Sequence, residues 1–307
     1  MINLSNFNSL IELASYFTTE EKCRRTLKEQ RWGKTVCCPE CGSTHIYERK
    51  DGRYSCADCN HTFSVLSGTV FENTKISLRK WFMAMYLISS HKKGISSVQL
   101  AQDIRVTQKT AWFMLHKIRH LYGQSSDKLG GKVEMDEMYL GGKETNKHES
   151  KKVEGTQGRS TKTKTPVFGM VEREGEVRAL AVENTRAETL MPIVKKYVME
   201  NSEVFTDELS SYSSLAGKGY IHSVVHHQEK EYVVGESYTN TIEGFWSQFR
   251  RMVYGIYHYV SKKYLQRYID EEVYRWNTKK AKAGVRFAYM FGMCAGVFDY
   301  RNVRMVA

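Results

Sequence analysis

The chain has 307 residues, of which 41% are hydrophobic and 12% aromatic, a composition that excludes an intrinsically disordered protein. This length is sufficient for two or three domains. The formal net charge of +12 and a pI of about 9.2 favour a polyanionic partner, although a basic protein without such a partner is an alternative. The surplus lies mainly in residues 1–130, which hold 19 Lys and Arg against 11 Asp and Glu, whereas residues 131–307 hold 27 against 23.

No apolar run reaches the roughly 18 residues that a membrane-spanning helix needs. The first residues also lack the basic and then apolar pattern of a signal peptide. We therefore expect an intracellular protein of the cytoplasm. Seven cysteines in such a protein favour metal binding over disulfide formation.

Residues 1–30 have the spacing of short helices. A capping threonine, Thr18 or Thr19, precedes two glutamates, as at the start of a helix. We expect these N-terminal helices to serve packing only. The apolar residues that give the first helical pattern are Phe7, Leu10, Ile11 and Ala14.

Residues 31–70 contain two Cys-x-x-Cys pairs, Cys38-Pro-Glu-Cys41 and Cys56-Ala-Asp-Cys59, with 14 residues between them. Each tight turn can present two thiolates to one ion, so the pattern predicts a zinc ribbon with a closed, structural four-thiolate site. Chance or redox-active pairs are the alternative. Because Cys37 adjoins Cys38, the sequence leaves open which of the two sulfurs is the ligand. The histidines that could replace a thiol, although the spacing requires neither, are His45 and His61. The cysteines expected to be ordinary reduced thiols are Cys23, Cys37 and Cys294.

Residues 74–123 show three successive helical patterns. The first begins after Ser77, the second near Ser96, and the third after a capping Thr107. Helix, short turn and helix with apolar residues at the contact positions is typical of a helix-turn-helix DNA-binding domain, although an ordinary three-helix bundle explains the spacing equally well. In the first interpretation, the residues that face the major groove are Thr107, Gln108 and Lys109.

The run from Lys132 to Gly142 alternates apolar and polar residues, carries Asp136 and ends on two glycines, which predicts a strand. A polar segment follows as far as Thr165, with seven Lys and Arg against three Asp and Glu. We expect this segment to be a long surface loop, either simply solvated or in contact with phosphates.

The remaining pattern predicts a hairpin around Glu174-Gly175, a helix over 185–200, a strand ending in Asp207, a further strand, and a helix from about Thr239. On the last helix, residues three and seven apart share one face. This face, opposite the phenylalanines, holds Asn240, Glu243 and Arg250. A second helix to Asn277 and a basic C-terminal extension over 279–307 complete the chain.

Strand with Asp136, hairpin, helix, strand with Asp207, strand, and helix with Glu243 is the order of a ribonuclease-H-like α/β domain, here over residues 130–278 and preceded by the zinc ribbon and the helix-turn-helix domain. In-line displacement at a phosphodiester uses two divalent cations about 3.5–4 Å apart. Carboxylates are the ligands that hold Mg²⁺. Three carboxylates brought together without a cation would repel one another.

The sequence resembles bacterial and archaeal insertion-sequence transposases of the DDE type that carry an N-terminal zinc ribbon. The motifs that carry the resemblance cover nearly the whole chain. They are Cys38-Pro-Glu-Cys41, Val133-Glu-Met-Asp136-Glu-Met-Tyr-Leu-Gly-Gly, Thr206-Asp207-Glu, Thr239-Asn240-Thr-Ile-Glu243-Gly-Phe-Trp246 and Tyr257-His258-Tyr-Val-Ser261.

The resemblance implies that Mg²⁺ or Mn²⁺ is bound by Asp136, Asp207 and Glu243, with Asn240 competing for the third position because that position varies in the family. It also implies a phosphate contact at Arg250, where the family often has Lys, with Arg251 as a neighbouring DNA contact. The implied reaction is hydrolysis at the ends of a mobile element followed by transfer of the 3′-hydroxyl to target DNA, with the ribbon and the helix-turn-helix binding the terminal inverted repeats. A homo-oligomer that acts on double-stranded DNA in the nucleoid would follow.

Three alternatives remain at this level. The chain could be a zinc-ribbon and helix-turn-helix regulator without catalysis, or a ribonuclease-H-like nuclease that cuts without joining. It could also be an inactive or domesticated descendant of a transposase. Strand joining in Mg²⁺ distinguishes a transposase from a nuclease, and cleavage distinguishes both from a regulator.

Overall fold

A computed structural model of the protein describes residues 2–141, 148–153, 160–225 and 239–294. These residues form two compact units, one from 2–122 together with 280–294 and the other from 123–279. Two parts of the predicted surface loop, residues 143–147 and 154–159, lie outside the described residues, as do Gly142 and the end of the predicted C-terminal extension from residue 295. No described helix is long and apolar enough to cross a bilayer.

The first unit is mainly helical. Three helix starts expected from the sequence are confirmed, because Thr19, Ser96 and Thr107 each cap a helix by accepting a backbone N–H through the side chain. Ser9, which the sequence analysis did not single out, caps the first helix in the same way. Ile11, which was expected on a packing face, is instead largely exposed. The helices of this unit are α1 (Leu10–Tyr16), α2 (Glu20–Trp32), α3 (Leu78–Ser90), α4 (Ser97–Ile104), α5 (Gln108–Arg119) and α9 (Ala283–Gly292).

The predicted ribbon region is a small antiparallel sheet of β1 (Ile46–Glu48), β2 (Tyr54–Cys56) and β3 (Thr62–Phe63). Its aromatic side pairs with the end of α2, where the Trp32 ring lies 5.6 Å from the Tyr54 ring, centroid to centroid. The core of this sheet also contains Cys38 and Cys56, so the cysteine knuckles are part of its packing.

Helix α9 belongs to a segment for which the sequence predicted only a basic extension. Its Phe291 contacts Phe82 of α3 edge to face, with ring centroids 4.9 Å apart. Gly284 brings the helix so close to the N-terminal turn that a Cβ there would lie 2.3 Å from the Ser5 carbonyl oxygen. The described part of the C-terminal segment is therefore a packed element of the first unit.

The second unit is a five-stranded mixed sheet with helices on both faces. Its strands follow the order β6-β5-β4-β7-β8; β4 is antiparallel to β5 and parallel to β7. Its elements are β4 (Lys132–Leu140), β5 (Thr165–Glu172), β6 (Val177–Ala181), α6 (Ala187–Tyr197), β7 (Glu203–Thr206), β8 (Ile221–Val224), α7 (Asn240–Met252), a π-helical turn (Val253–Tyr257) and α8 (Leu265–Asn277). This mixed α/β architecture is consistent with the predicted ribonuclease-H-like domain.

Alternate residues of β4 supply two separate cores. Met138 and Leu140 pack with α7 and α8, whereas Val133 and Met135 pack with α6. Since side chains alternate along a strand, Asp136 leaves on the α7 face and Glu137 on the α6 face. Helix α6 begins later than the predicted capping box at Thr185, because Arg186 precedes its first residue and Thr185 instead bonds to Tyr139.

Strand β6 lies at one edge of the sheet, where no other strand of the described residues pairs with its outer side. Side-chain amides take that place. Asn277 accepts the Val177 N–H and donates to the Val177 carbonyl, and Gln124 does the same at Ala179. An edge closed in this way does not offer a free template for another strand.

Candidate active site

Asp136 lies at the centre of the sheet, on β4 directly opposite Gly169 of β5. Its Oδ2 accepts a hydrogen bond from Nε1 of Trp246 on α7, at 3.0 Å. Burial first, and then the negative charges of Asp207 and Glu243, raise the pKa of the Asp136 carboxyl from 3.8 to about 6. A nearby cation would relieve this repulsion.

Asp207 follows the last residue of β7, the parallel neighbour of β4. Because the two strands run side by side in the same direction, both aspartates arrive on the same part of the sheet. The backbone N–H of Leu209 donates to Oδ1 of Asp207, which fixes the turn after the strand. Carboxylate oxygens of Asp136, Glu137 and Asp207 lie within 4.8 Å of one another.

Glu137 is the member of this group to which the sequence assigned no role. Its side chain leaves β4 on the α6 face, where the hydroxyl of Tyr212 donates to Oε1. The only sequence signal for it was its position beside Asp136 in an Asp-Glu pair. Its carboxylate nevertheless adds a third hard oxygen donor to the site.

Asn240 and Glu243 lie in the first turn of α7, and both side chains are exposed. Glu243 is near enough for its charge to act on Asp136. Among the described residues, however, the group of closely spaced carboxylates contains Glu137 and not Glu243. Arg250 is also exposed, so the predicted polar face of α7 lies opposite the buried aromatic residues of the helix. Arg251 donates hydrogen bonds to Ser247 of the same helix.

Glu134, two residues before Asp136 on the same face of β4, holds the start of α7 and was missed in the sequence. Its Oε2 accepts the backbone N–H groups of Thr241, at 2.8 Å, and Ile242, at 3.0 Å. Thr239, the residue before the helix, makes no side-chain cap. A fully buried carboxylate from the strand thus caps the helix that carries Asn240 and Glu243.

The second cluster with metal-binding geometry is formed by four cysteines of the ribbon. The Sγ atoms of Cys38 and Cys59, and those of Cys41 and Cys56, are each 3.6 Å apart. Tetrahedral zinc with Zn–S bonds of about 2.3 Å places its sulfurs about 3.8 Å apart, so the four thiols fit zinc. The backbone N–H of Cys59 lowers the pKa of the Cys56 thiol to about 7, whereas the pKa values of the neighbouring Cys41 and Cys59 thiols are raised, so Cys56 is the first of these three to become a thiolate.

The neighbouring thiol of Cys37 is outside this cluster and points to the Thr35 carbonyl. The two histidines that the sequence left as possible ligands are also engaged elsewhere: His45 contacts Asp58, and the His61 ring stacks on Phe63. Within the described residues, the geometry therefore selects Cys38 over Cys37.

The residues predicted to meet DNA lie where α5 begins. Thr107 caps the helix, Gln108 donates through Nε2 to Ser97 of α4, and Lys109 is exposed. Arg105, in the turn between α4 and α5, adopts a left-handed conformation with φ of 51° where glycine is common. Two helices joined by a short turn are present, and their docking in a major groove stays a prediction.

Comparison with known proteins identifies the family. Residues 128–277 match the ISXO2-like transposase domain, and residues 18–62 match the transposase zinc-ribbon domain. The chain is 30% identical over 251 residues to an uncharacterized protein in the transposable element ISH50 of Halobacterium salinarum, an alignment that covers 76% of this chain and 83% of that protein. The chain belongs to the ISXO2-like transposase family.

A second relative of this transposase is an uncharacterized transposase-like protein of Haemophilus influenzae, 26% identical over 110 residues, or 36% of this chain and 88% of that protein. The family confirms the identification made from the sequence motifs. The transposase has a zinc-ribbon domain, and its four-cysteine cluster suggests structural zinc. The matched transposase domain contains the three-carboxylate group described above.

Proposed function

We propose that this chain is an active DNA transposase that binds the terminal inverted repeats of its element and catalyses metal-dependent strand cleavage followed by strand transfer. One observation carries the proposal: in a transposase-family domain, two strands distant in sequence bring Asp136 and Asp207 together beside Glu137, with oxygens within 4.8 Å. Half-buried carboxylates that repel one another are costly unless they serve a cation.

Mg²⁺ or Mn²⁺, when bound, stabilises the charge that develops on the phosphodiester and activates the attacking oxygen. Asp136 would hold the ion from strand β4, and Asp207 from the turn directly after β7. Glu243 is our candidate for the third ligand, since it lies on a helix fixed to β4 and its charge acts on Asp136. Asn240 and Glu137 compete with it for that role.

In this scheme, three further parts of the chain contact the DNA substrate. Arg250 lies seven residues beyond Glu243 on the exposed face of α7 and would contact a phosphate of the reacting strand. The first turn of α5, with Gln108 and Lys109 exposed, would read the element ends, and the zinc ribbon would add to that surface. Two ends must be processed together, so we expect a homo-oligomer on double-stranded DNA.

The test uses the full-length protein and labelled duplexes carrying an element end. The wild type should bind the end, cut it in Mg²⁺ and join the 3′-hydroxyl to a second duplex. Asp136→Asn and Asp207→Asn should bind the end normally and neither cut nor join. Cutting without joining would identify a nuclease, and binding without cutting in the wild type would identify a DNA-binding regulator or an inactive descendant.

A further inference from the structure

Helix α7 is joined to β4 by two carboxylates on one face of the strand. Glu134 binds the backbone of the first turn of α7, and Asp136 binds the indole of Trp246 about one and a quarter turns later. Side chains two apart on a strand point the same way, which is why both can reach the same helix. The helix is therefore set against the strand by a structural acid and a candidate metal ligand at once.

The Trp246 indole fits beside Asp136 because the residue of β5 opposite Asp136 is Gly169, which has no side chain. A Cβ at Gly169 would lie 2.5 Å from Cζ2 of Trp246 and 2.7 Å from Cη2. Such distances are shorter than any carbon contact permits, so any larger residue at Gly169 would push the ring away. The glycine thus serves the Trp246–Asp136 contact, although its own backbone is ordinary strand.

The Trp246 indole, which donates to Asp136, is buried. Trp246 is 3% exposed, in the core between the sheet and the two helices α7 and α8. A buried indole N–H needs an acceptor, and here the acceptor is an acid of the proposed site. Trp276 of α8 lies in the same core, yet its Nε1 has no partner within the described part of the chain. The two tryptophans therefore differ in the hydrogen bond while sharing the packing.

We propose that Trp246 is a positioning residue, whose N–H holds Oδ2 of Asp136 so that the other oxygen is turned towards the ion shared with Asp207. This inference rests on the proposed metal-dependent function. Groups that orient a metal ligand through a hydrogen bond commonly change metal affinity or activity by about 10- to 100-fold when they are removed. The same size of effect is expected here.

The matched pair of variants is Trp246→Phe and Trp276→Phe. Each variant replaces an indole of the same core by a smaller phenyl ring, but only Trp246→Phe loses a hydrogen bond to Asp136. In end-cleavage assays over a range of Mg²⁺, Trp246→Phe should raise the half-saturating Mg²⁺ concentration by about 10- to 100-fold, and Trp276→Phe should leave it within about twofold. Gly169→Ala should reproduce the Trp246→Phe result. Equal Mg²⁺ dependence of the two tryptophan variants would overturn the proposal.

A second readout needs neither activity nor a folded Trp246→Phe protein. Tryptophan emission of the wild type and of Trp276→Phe should change as Mg²⁺ is added, because the cation alters the charge on the acceptor of the Trp246 N–H. The change should be absent in Asp136→Asn. No emission response in the wild type at Mg²⁺ concentrations that support cleavage would contradict the positioning role. Normal cleavage by Asp136→Asn would instead contradict the proposed function itself.

Discussion

Nε of Arg173 lies 2.8 Å from Oε1 of Glu134, in an ion pair whose carboxylate is fully buried and whose guanidinium is 10% exposed. The guanidinium also covers the Phe205 ring, 4.0 Å from its centroid. Through this pair the turn after β5, the strand β4 and the start of α7 are fastened at one point. Because Glu134 uses both oxygens, its loss would remove a buried partner of the Arg173 guanidinium and the acceptor of the Thr241 and Ile242 backbone N–H groups.

Glu134→Ala should therefore destabilise the protein strongly. Breaking a buried ion pair by removing one partner typically costs about 3–5 kcal/mol. Urea unfolding followed by circular dichroism measures the change in free energy. As a control, Glu188→Ala removes an exposed partner of Arg186, where about 0–1 kcal/mol is expected. A Glu134→Ala effect no larger than the control would show that α7 does not depend on this cap.

The sequence predicted the elements that carry a strong local signal. The strand with Asp136, the strand ending at Asp207 and the helix from Asn240 lie where periodicity and caps placed them. The sequence proposed Asp136 and Asp207 from the order of the elements that carry them, and the structure brings their carboxylates together, whereas their role as metal ligands stays a prediction. The exposed face of α7 followed from helical geometry alone.

The sequence did not reveal contacts between distant segments. Glu134 meets Thr241 across 107 residues, and the role of Gly169 depends on a ring from another element. Such contacts are set by packing, which local propensity does not encode. Helix α9 was missed because its basic flanks suggested a tail, whereas Phe287 and Phe291 bury themselves against α3.

The third metal ligand is expected to be Glu243. Glu243→Gln should lower Mg²⁺-dependent cleavage by at least about 100-fold, which is the upper limit for residues that only support a ligand, without weakening end binding. Glu137→Gln should have a smaller effect, because Tyr212 already bonds to that carboxylate. Single-turnover cleavage and gel shifts of the same end duplex give the two quantities.

Two other results would reassign the site. A loss of cleavage in Glu137→Gln with activity retained in Glu243→Gln would make Glu137 the ligand, in line with the close carboxylate group. A loss of cleavage found only in Asn240→Ala would make the Asn240 side-chain amide the third ligand. Glu188→Gln, an exposed acid of the same unit, serves as the control for charge alone.

Zinc content should distinguish the adjacent cysteines. Cys38→Ser should abolish the bound zinc, since a structural site needs all four thiolates. Cys37→Ser should keep one zinc per chain, because the Cys37 thiol lies outside the cluster. Plasma mass spectrometry of the purified proteins measures the metal directly. Full zinc in Cys38→Ser together with its loss in Cys37→Ser would mean that the neighbouring sulfur is the ligand.

The pH dependence of stability should carry the signature of Asp270, whose pKa burial raises from 3.8 to about 6. Between these values the folded protein binds more protons than the unfolded chain, so this residue makes stability fall as pH rises from about 4 to about 6, by up to about 3 kcal/mol. Asp270→Asn keeps an oxygen for the two glutamine donors, Gln124 and Gln266, but cannot ionise. Urea unfolding at several pH values should show that the free energy of unfolding of the variant, relative to that of the wild type, rises up to about pH 6. Above about pH 6 the difference between the two proteins should stay constant. A constant difference between the two proteins from pH 4 to 7 would contradict the shifted pKa.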